Sequence, residues 1–563
     1  MKKPSIKAPK LKAPQLKRSG SGAPAEGGAG YGEPGDATAS GGAAPAGGRT
    51  LPGGVTRTTQ SLLAAAAVLA VVFGIAELRP PVAPAAAATG GAVTTTQVER
   101  VAAVCPQPIH GLTGSTAYTL YSPVGAKATG GSAVLADVAP PPAQPANPAP
   151  APSGSGAPAA QVPPGARALL VKPGVPAIGQ AAGADQAPGT AAVATGGYAP
   201  GFTVGQTSIV TDQAGTGMSG LTCTPAGTSF WFAGASTDGD RVDYVSLVNA
   251  ESTGAVVDLK LYGDKGPIDV DAANGITLAP GTSQAIRLKT LAPGVKDLTV
   301  HAVVRNGRVG AGLHTTDGTK GADWLPASVE PAPTAVLPGL PADATNAHLV
   351  VAAPGDDDAD LKIQVSGKNG WFTPAGHESI HVKSGMVSAV DLGQVTRGEV
   401  GALRLTPSDP AHQTPIVAGL RIDRSQNGKS DVAWVSGSAP VGQRASVADN
   451  RGGGSGTLYL TSAGEAAKVR ITASAGINGG TPATKELPIP AGATVSLPSP
   501  EPNGLNGSYG LTVETLSGGP VVAARMLAIT TNNVPMFTIQ ALRDDHSTVQ
   551  VPQAAADPGV LLR

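Results

Sequence analysis

Between residues 241 and 545 apolar and polar side chains alternate with a period of two in short runs, the pattern of strands buried on one face. The plainest runs are Val257, Leu259 and Leu261 alternating with Asp258 and Lys260, and Leu361, Ile363 and Val365 alternating with Lys362 and Gln364. A third has Val469, Ile471 and Ala473 alternating with Lys468 and Arg470. Each is preceded by another strand-like run (Tyr244–Val248, Ala347–Val351, Thr457–Thr461) and a polar or Gly-containing turn. Turns at Pro280-Gly281 and Pro490-Ala491-Gly492 introduce further strands over Ala285–Leu288 and Thr494–Leu497. Runs at Leu298–Arg305, Arg308–Leu313, Pro415–Leu420 and Pro520–Arg525 close the copies. Asn306-Gly307, between the first two of these, predicts a tight type I′ hairpin.

The same order of features thus recurs three times at a spacing of roughly 105 residues, close to the size of one immunoglobulin-like sandwich. Propeller blades repeat at about 40–50 residues and do not fit. The expected fold is all-β: tandem immunoglobulin-like β-sandwich repeats over residues 241–330, 345–440 and 455–545, behind one N-terminal transmembrane helix. A β-rich region at 98–240 precedes the repeats and a tail at 546–563 follows them.

Composition narrows the function classes. Gly (77) and Pro (52) concentrate in a few tracts that are poor material for a core. Formal net charge is zero and 14% of residues are charged, so no nucleic-acid partner is expected. Aromatics are 3%, which leaves few platforms for stacking on sugars or bases.

The N-terminal segment at 1–57 reads as a basic, disordered cytoplasmic tail. Its first residues carry Lys2, Lys3, Lys7, Lys10, Lys12, Lys17 and Arg18, and a Gly/Ala/Ser/Pro tract follows. Residues 58–78 are apolar and read as a retained signal anchor rather than a cleaved signal peptide, because the preceding segment is far longer than the ~15–30 residues of a whole signal peptide. The basic cluster places the N-terminus in the cytoplasm and the remainder outside the cell membrane. A linker at 79–97 follows. Cys105 and Cys223, the two cysteines, fall on the exported side and predict one disulfide across a Pro/Ala-rich insertion at about 138–197.

Several short motifs resemble a family of uncharacterised secreted actinobacterial proteins, a domain of unknown function. They are Cys105-Pro106, Phe230-Trp231-Phe232-Ala233-Gly234, Leu247-Val248-Asn249, Tyr262-Gly263 and Asp323-Trp324-Leu325-Pro326. The resemblance spans about residues 98 to 540. It implies export, one N-terminal anchoring helix and β repeats, and it implies no activity.

His377-Glu378-Ser379-Ile380-His381 is a literal H-E-x-x-H, which in metalloproteases places two histidines one helical turn apart on a zinc. Here Pro374, Gly376 and Gly385 surround it and the repeat puts it on a strand, where residues four apart stand about 13 Å from each other. No catalytic residue and no metal ligand is assigned. Asp356-Asp357-Asp358 with Asp360 lacks the ligand spacing of a calcium loop and reads as a solvated turn. Trp324 and Trp434 follow the last strands of copies and suit packing at junctions. Trp371 is the one candidate ligand platform. Asn506-Gly507-Ser508 matches a glycosylation sequon. No cofactor is implied. The expected function is a non-catalytic scaffold or binding protein of the cell envelope, with envelope proteins or cell-wall glycan as partners. A glycan-binding module and an exported metal-dependent hydrolase are the alternatives.

Overall fold

Strand follows strand from Val93 to Pro552, and the helical segments among the described residues are short 3-10 turns. The structure, a computed structural model, describes residues 93–552 except 110–111, 126–129, 141–164, 182–186, 212–215 and 532. The basic tail, the apolar run at 58–78 and linker residues 79–92 therefore lie outside the described residues, while the last five linker residues form a strand. No helix of the described residues is long and apolar enough to cross a membrane.

After β1 (Val93–Gln97) come four successive units. The first holds β2 (Arg100–Cys105), β3 (Gly114–Tyr121), β4 (Ala133–Asp137), β5 (Ala166–Leu170), β6 (Ala177–Ala181), β7 (Thr190–Thr195), β8 (Thr203–Val210) and β9 (Gly217–Thr222). The second holds β10 (Ser229–Ala235), β11 (Arg241–Asn249), β12 (Ala255–Gly263), β13 (Gly266–Ile268), β14 (Ile276–Leu278), β15 (Thr282–Arg287), β16 (Leu298–Asn306), β17 (Gly310–Asp317) and β18 (Ala322–Leu325). The third holds β19 (Ala335–Leu340), β20 (Ala344–Ala353), β21 (Ala359–Gly367), β22 (Gly370–Phe372), β23 (Ser379–Val382), β24 (Met386–Asp391), β25 (Gly401–Pro407), β26 (Val417–Gln426) and β27 (Lys429–Ser436). The fourth holds β28 (Arg444–Asn450), β29 (Gly456–Ser462), β30 (Ala467–Gly476), β31 (Ala483–Ile489), β32 (Thr494–Pro498), β33 (Tyr509–Gly518), β34 (Val521–Thr531) and β35 (Val534–Leu542). β36 (Thr548–Pro552) is the last strand of the described residues.

Each unit is a pair of antiparallel sheets with one strand order. In the first unit these are β2-β7-β4-β5 and β6-β3-β8-β9, and in the fourth β28-β33-β30-β31 and β32-β29-β34-β35. The second and third units repeat the order, with the fourth strand split in two (β13 and β14, β22 and β23). The Ala-rich region before the three repeats is thus a fourth copy of the same unit, with the Pro/Ala tract inserted between β4 and β5. The first strand of each later copy (β10, β19, β28) also lies upstream of the periodic runs.

Period-two patterning sets the cores. Val257, Leu259 and Leu261 on β12, and Val469, Ile471 and Ala473 on β30, point into the space between the two sheets of their units. Asp258, expected on the wet face of β12, is covered instead and paired with Arg305. Asn306-Gly307 does not close a hairpin. β16 and β17 sit in opposite sheets, and Asn306 is the last residue of β16 with Gly307 alone at positive φ. Both strands carry inward apolar residues (Val300 and Ala302, Leu313), and they must face each other across the core rather than lie side by side. Asn427-Gly428 does make a tight hairpin, with both residues at positive φ and Gln426 paired to Lys429.

The four units close on themselves. The first strand of each packs on the seventh strand of the next: β2 on β17, β10 on β26, β19 on β34, and β28 of the last unit on β8 of the first. The eighth strands β9, β18, β27 and β35 meet in the middle, each against the one before and the one after. β1 pairs with β36, Thr95 opposite Gln550, so the two ends of the described chain form one antiparallel ribbon. The result is a ring with approximate fourfold symmetry, closed between its first and last units. The closure includes a hydrogen bond from Thr207 Oγ1 to Asp449 Oδ2 (2.7 Å) and an apolar contact of Met218 with Leu527 and Met536. Arg525 lies buried beside the same seam, donating to Gln540 Oε1 and to the carbonyls of Ala448 and Asp449.

Candidate functional site

Two places bring ionisable side chains of different units together: the axis of the ring and a cleft between the second and third units. At the axis stand Asp323 on β18 and Asp431 on β27, both fully buried. Asp323 Oδ1 accepts the N–H of Gly220 from the first unit (2.8 Å) and of Trp324 (2.8 Å), and Thr538 Oγ1 of the fourth unit lies 3.0 Å from Oδ2. Asp431 accepts the N–H of Phe537 from the fourth unit (2.8 Å) and of Val432 (2.9 Å), and the N–H groups of Met218 and Ala322 also face it. Small residues make this possible, since a Cβ at Gly217 or Gly321 would press on the Asp431 carboxylate. One carboxylate therefore ties its own unit to all three others. Burial pushes both carboxyls well above the usual carboxylate range, against the pull of these N–H donors.

The cleft has a volume of about 520 Å³. Its walls are the turn before β11 (Asp238, Asp240), Lys296 and Asp297 before β16, and the β17 end of the second unit. They face β20, β24 and β26 of the third. Arg421 spans the junction, 2.5 Å from Asp317 of the second unit and 2.7 Å from Asp423 of its own. Below, Trp434 is fully buried against the second unit's core, with the guanidinium groups of Arg241 and Arg421 at 5.2 and 5.8 Å from its ring. His348 stands between Asp391 (Nδ1 to Oδ1, 2.7 Å) and Asp297 (Nε2 to Oδ1, 2.7 Å). Its carboxylate partners raise the imidazole pKa despite the burial that opposes it, and His348 lowers that of Asp391. A short distance away His301 stacks on Trp231 with ring centroids 3.6 Å apart. There burial and Lys260 lower its pKa to about 4, so it is neutral.

A family model matches residues 178–500, more than half of the chain. The chain belongs to DUF5719, a family of unknown function. No curated protein and no solved structure matches it. The DUF5719 match takes in Asp323, Asp431 and every residue lining the cleft, and it begins inside the first unit, at β6.

Within the DUF5719 span the residues singled out from sequence are scattered. Trp371 on β22 is half-buried at the junction of the third and fourth units. The Arg404 guanidinium lies 4.2 Å from its ring centroid, and the Gly492 turn of the fourth unit sits at its edge. His377 lies in the turn before β23 and His381 on it. His381 Nδ1 is 2.8 Å from Asp360, and exposed Glu378 accepts the N–H of Gly376. Asp357, Asp358 and Asp360 line an open surface cleft of about 820 Å³ with His381, Asp409 and His412. Among the described residues no group of three or more His, Cys, Asp or Glu side chains could hold a metal ion. Trp324 is buried edge-on to His314, which in turn lies 3.0 Å from Ser219 of the first unit. Cys223, inside the match, bonds Cys105, outside it, with a Cα–Cα distance of 4.7 Å. The disulfide joins the end of β2 to the residue after β9, one from each sheet of the first unit.

Sequence reasoning missed the residues that matter most at both places. Asp323 stands in the Asp-Trp-Leu-Pro step that carries the family resemblance, which was a signal. Asp431 and Asp297 each sit alone in an ordinary strand or loop and reach their partners only when units pack on one another, whereas His348 and Asp391 face each other across β20 and β24 of one sheet.

Proposed function

We propose that the protein is a non-catalytic, membrane-anchored scaffold or binding protein of the bacterial cell envelope. Residues 58–78 would serve as its single-pass anchor, with the N-terminus in the cytoplasm and the ring outside. The observation that carries this reading is the ring itself. Its ionisable clusters at the axis and the junctions are spent on holding units to one another, which suits a rigid platform. The buried disulfide suits an oxidising, exported location. The units are related to immunoglobulin-like sandwiches: second strand pairs with fifth and third with sixth, as in that fold. The seventh departs from it by pairing with the second.

Arg404 over the Trp371 ring takes a face that a sugar would use, which favours a protein partner over cell-wall glycan. The test is retention of the full chain on isolated cell-wall polymer and, separately, crosslinking to solubilised envelope proteins. The scaffold reading expects a specific crosslinked protein and no polymer retention that Trp371→Ala removes. Polymer retention abolished by Trp371→Ala would move the reading to glycan binding. Neither crosslink nor retention would contradict both.

A further inference from the structure

His348 lies on β20, the strand of the third unit nearest the cleft, opposite Asp391 of β24 and Arg421 of β26 in the sheet register. Its two ring nitrogens face two carboxylates from different units at the same 2.7 Å. A neutral imidazole has one N–H and one lone pair, so only the imidazolium can donate to both. The geometry itself therefore specifies a proton. We propose that His348 is a proton-operated latch across this cleft: charged, it fastens the third unit to the second through Asp297, and on losing its proton it releases that contact and lets the cleft widen.

The surrounding charges support the bridge. Lys296 stands next to Asp297, and Asp238, Asp240 and Arg241 face the cleft from the start of β11. Arg241 is committed to Asp243, Arg421 to Asp317 and Asp423, and Lys320 lies 3.6 Å from Asp317. The other charged groups lining the cleft are Asp238, Asp240 and Lys296, and Lys296 acts on Asp391. The balance favours the imidazolium, in keeping with the upward shift its carboxylates impose. The sign of the effect is fixed by linkage. A histidine held above its unfolded value, ordinarily ~6.5, contributes its full stabilisation below that pH and loses it as pH rises through the folded value. The latch is fastened in mild acid and released on the alkaline side. Arg421 keeps its guanidinium charge throughout this range, and its contact with Asp317 keeps the units joined as a hinge.

The test uses the full chain in detergent, with histidine Cε1 followed by NMR while pH is raised, and spin labels at Lys289→Cys and Thr345→Cys. Both are exposed positions on either side of the cleft. His348 is expected to titrate above 6.5, and the distance between labels to lengthen over the same pH interval. Asp297→Asn is expected to lower the His348 titration by at least tenfold in proton affinity and to move the distance change with it. Asp391→Asn provides the same reading if the first variant folds poorly. A His348 that titrates at or below 6.5 would overturn the latch. So would a distance that stays constant through its titration.

Discussion

Replacing Asp431 with Ala is expected to cost roughly 3–5 kcal/mol and to open the ring rather than one sandwich. The side chain is buried and takes backbone N–H groups of Phe537 and Val432, so its removal strands at least two buried donors, each worth about 1–3 kcal/mol. The two axial carboxylates should not respond alike to amide replacement. Asp323 has the Thr538 hydroxyl at its Oδ2, and that hydroxyl can accept a hydrogen bond while donating to the Gly220 carbonyl. Asp431 faces N–H groups alone among its close partners, so an Asn there sets its own NH2 against them. Asp323→Asn is therefore expected to stay within about 1 kcal/mol of the parent, and Asp431→Asn to lose at least ~2 kcal/mol. Chemical denaturation with limited proteolysis of the unit junctions reads both. Equal losses for the two amides would contradict the assignment of Asp323 as the member of the pair able to hold a proton. A pH signature accompanies it. Carboxyls raised in the folded state bind protons more tightly than in the unfolded chain, so stability falls as pH rises from about 4 towards their folded values. Asp323→Asn should flatten that slope.

Cys105→Ser should be the second large loss. The bond closes a 118-residue separation, for which the chain-entropy account gives about 5 kcal/mol, with measured bridges in the range ~2–5 kcal/mol. Its placement matters as much as the magnitude. It pins the first strand of one sheet to the end of the last strand of the other, in the unit whose core leans on Ala103, Ala133, Ala168, Ala192 and Ala194. Alanine buries little apolar area, so this unit has the least to lose before it opens. The first unit also holds one side of the seam that closes the ring. Reduction or Cys105→Ser is expected to make β2 to β9 the first segment cut by protease, ahead of the second to fourth units. Unchanged stability with uniform cleavage would show that the first unit is held by the ring and not by its bridge.

The period-two runs made the strands legible: the inward residues of β12, β21 and β30 are the ones the alternation marks. What the alternation could not show was number and closure. The first unit went unread as a copy because Ala191–Ala192–Val193–Ala194 and its neighbours alternate only weakly, and a long Pro/Ala tract separates its third and fourth strands. Closure depends on groups without periodic signal, such as a lone Asp431 and the small Gly217 and Gly321 that leave room for it. Asn306-Gly307 misled for a related reason. Its local turn chemistry favours a hairpin, yet the strands on either side are needed in opposite sheets, and the core decides. The H-E-x-x-H run is expected on a strand, and only Ser379, Ile380 and His381 are on one (β23); His377 and Glu378 lie in the turn before it, where Pro374 and Gly376 argue against a helix. The cleft residues come from separate strands and loops of two units, a juxtaposition that no local pattern encodes.

Small-angle X-ray scattering from the segment beginning at Gly90 tests the closed ring most directly. A compact body of this length has a radius of gyration of about 23 Å. The ring predicts a value near that figure, unchanged in Asp323→Asn and increased in Asp431→Ala. A string of sandwiches joined only to their neighbours in sequence would scatter with a radius roughly twice as large, and that result would contradict the account.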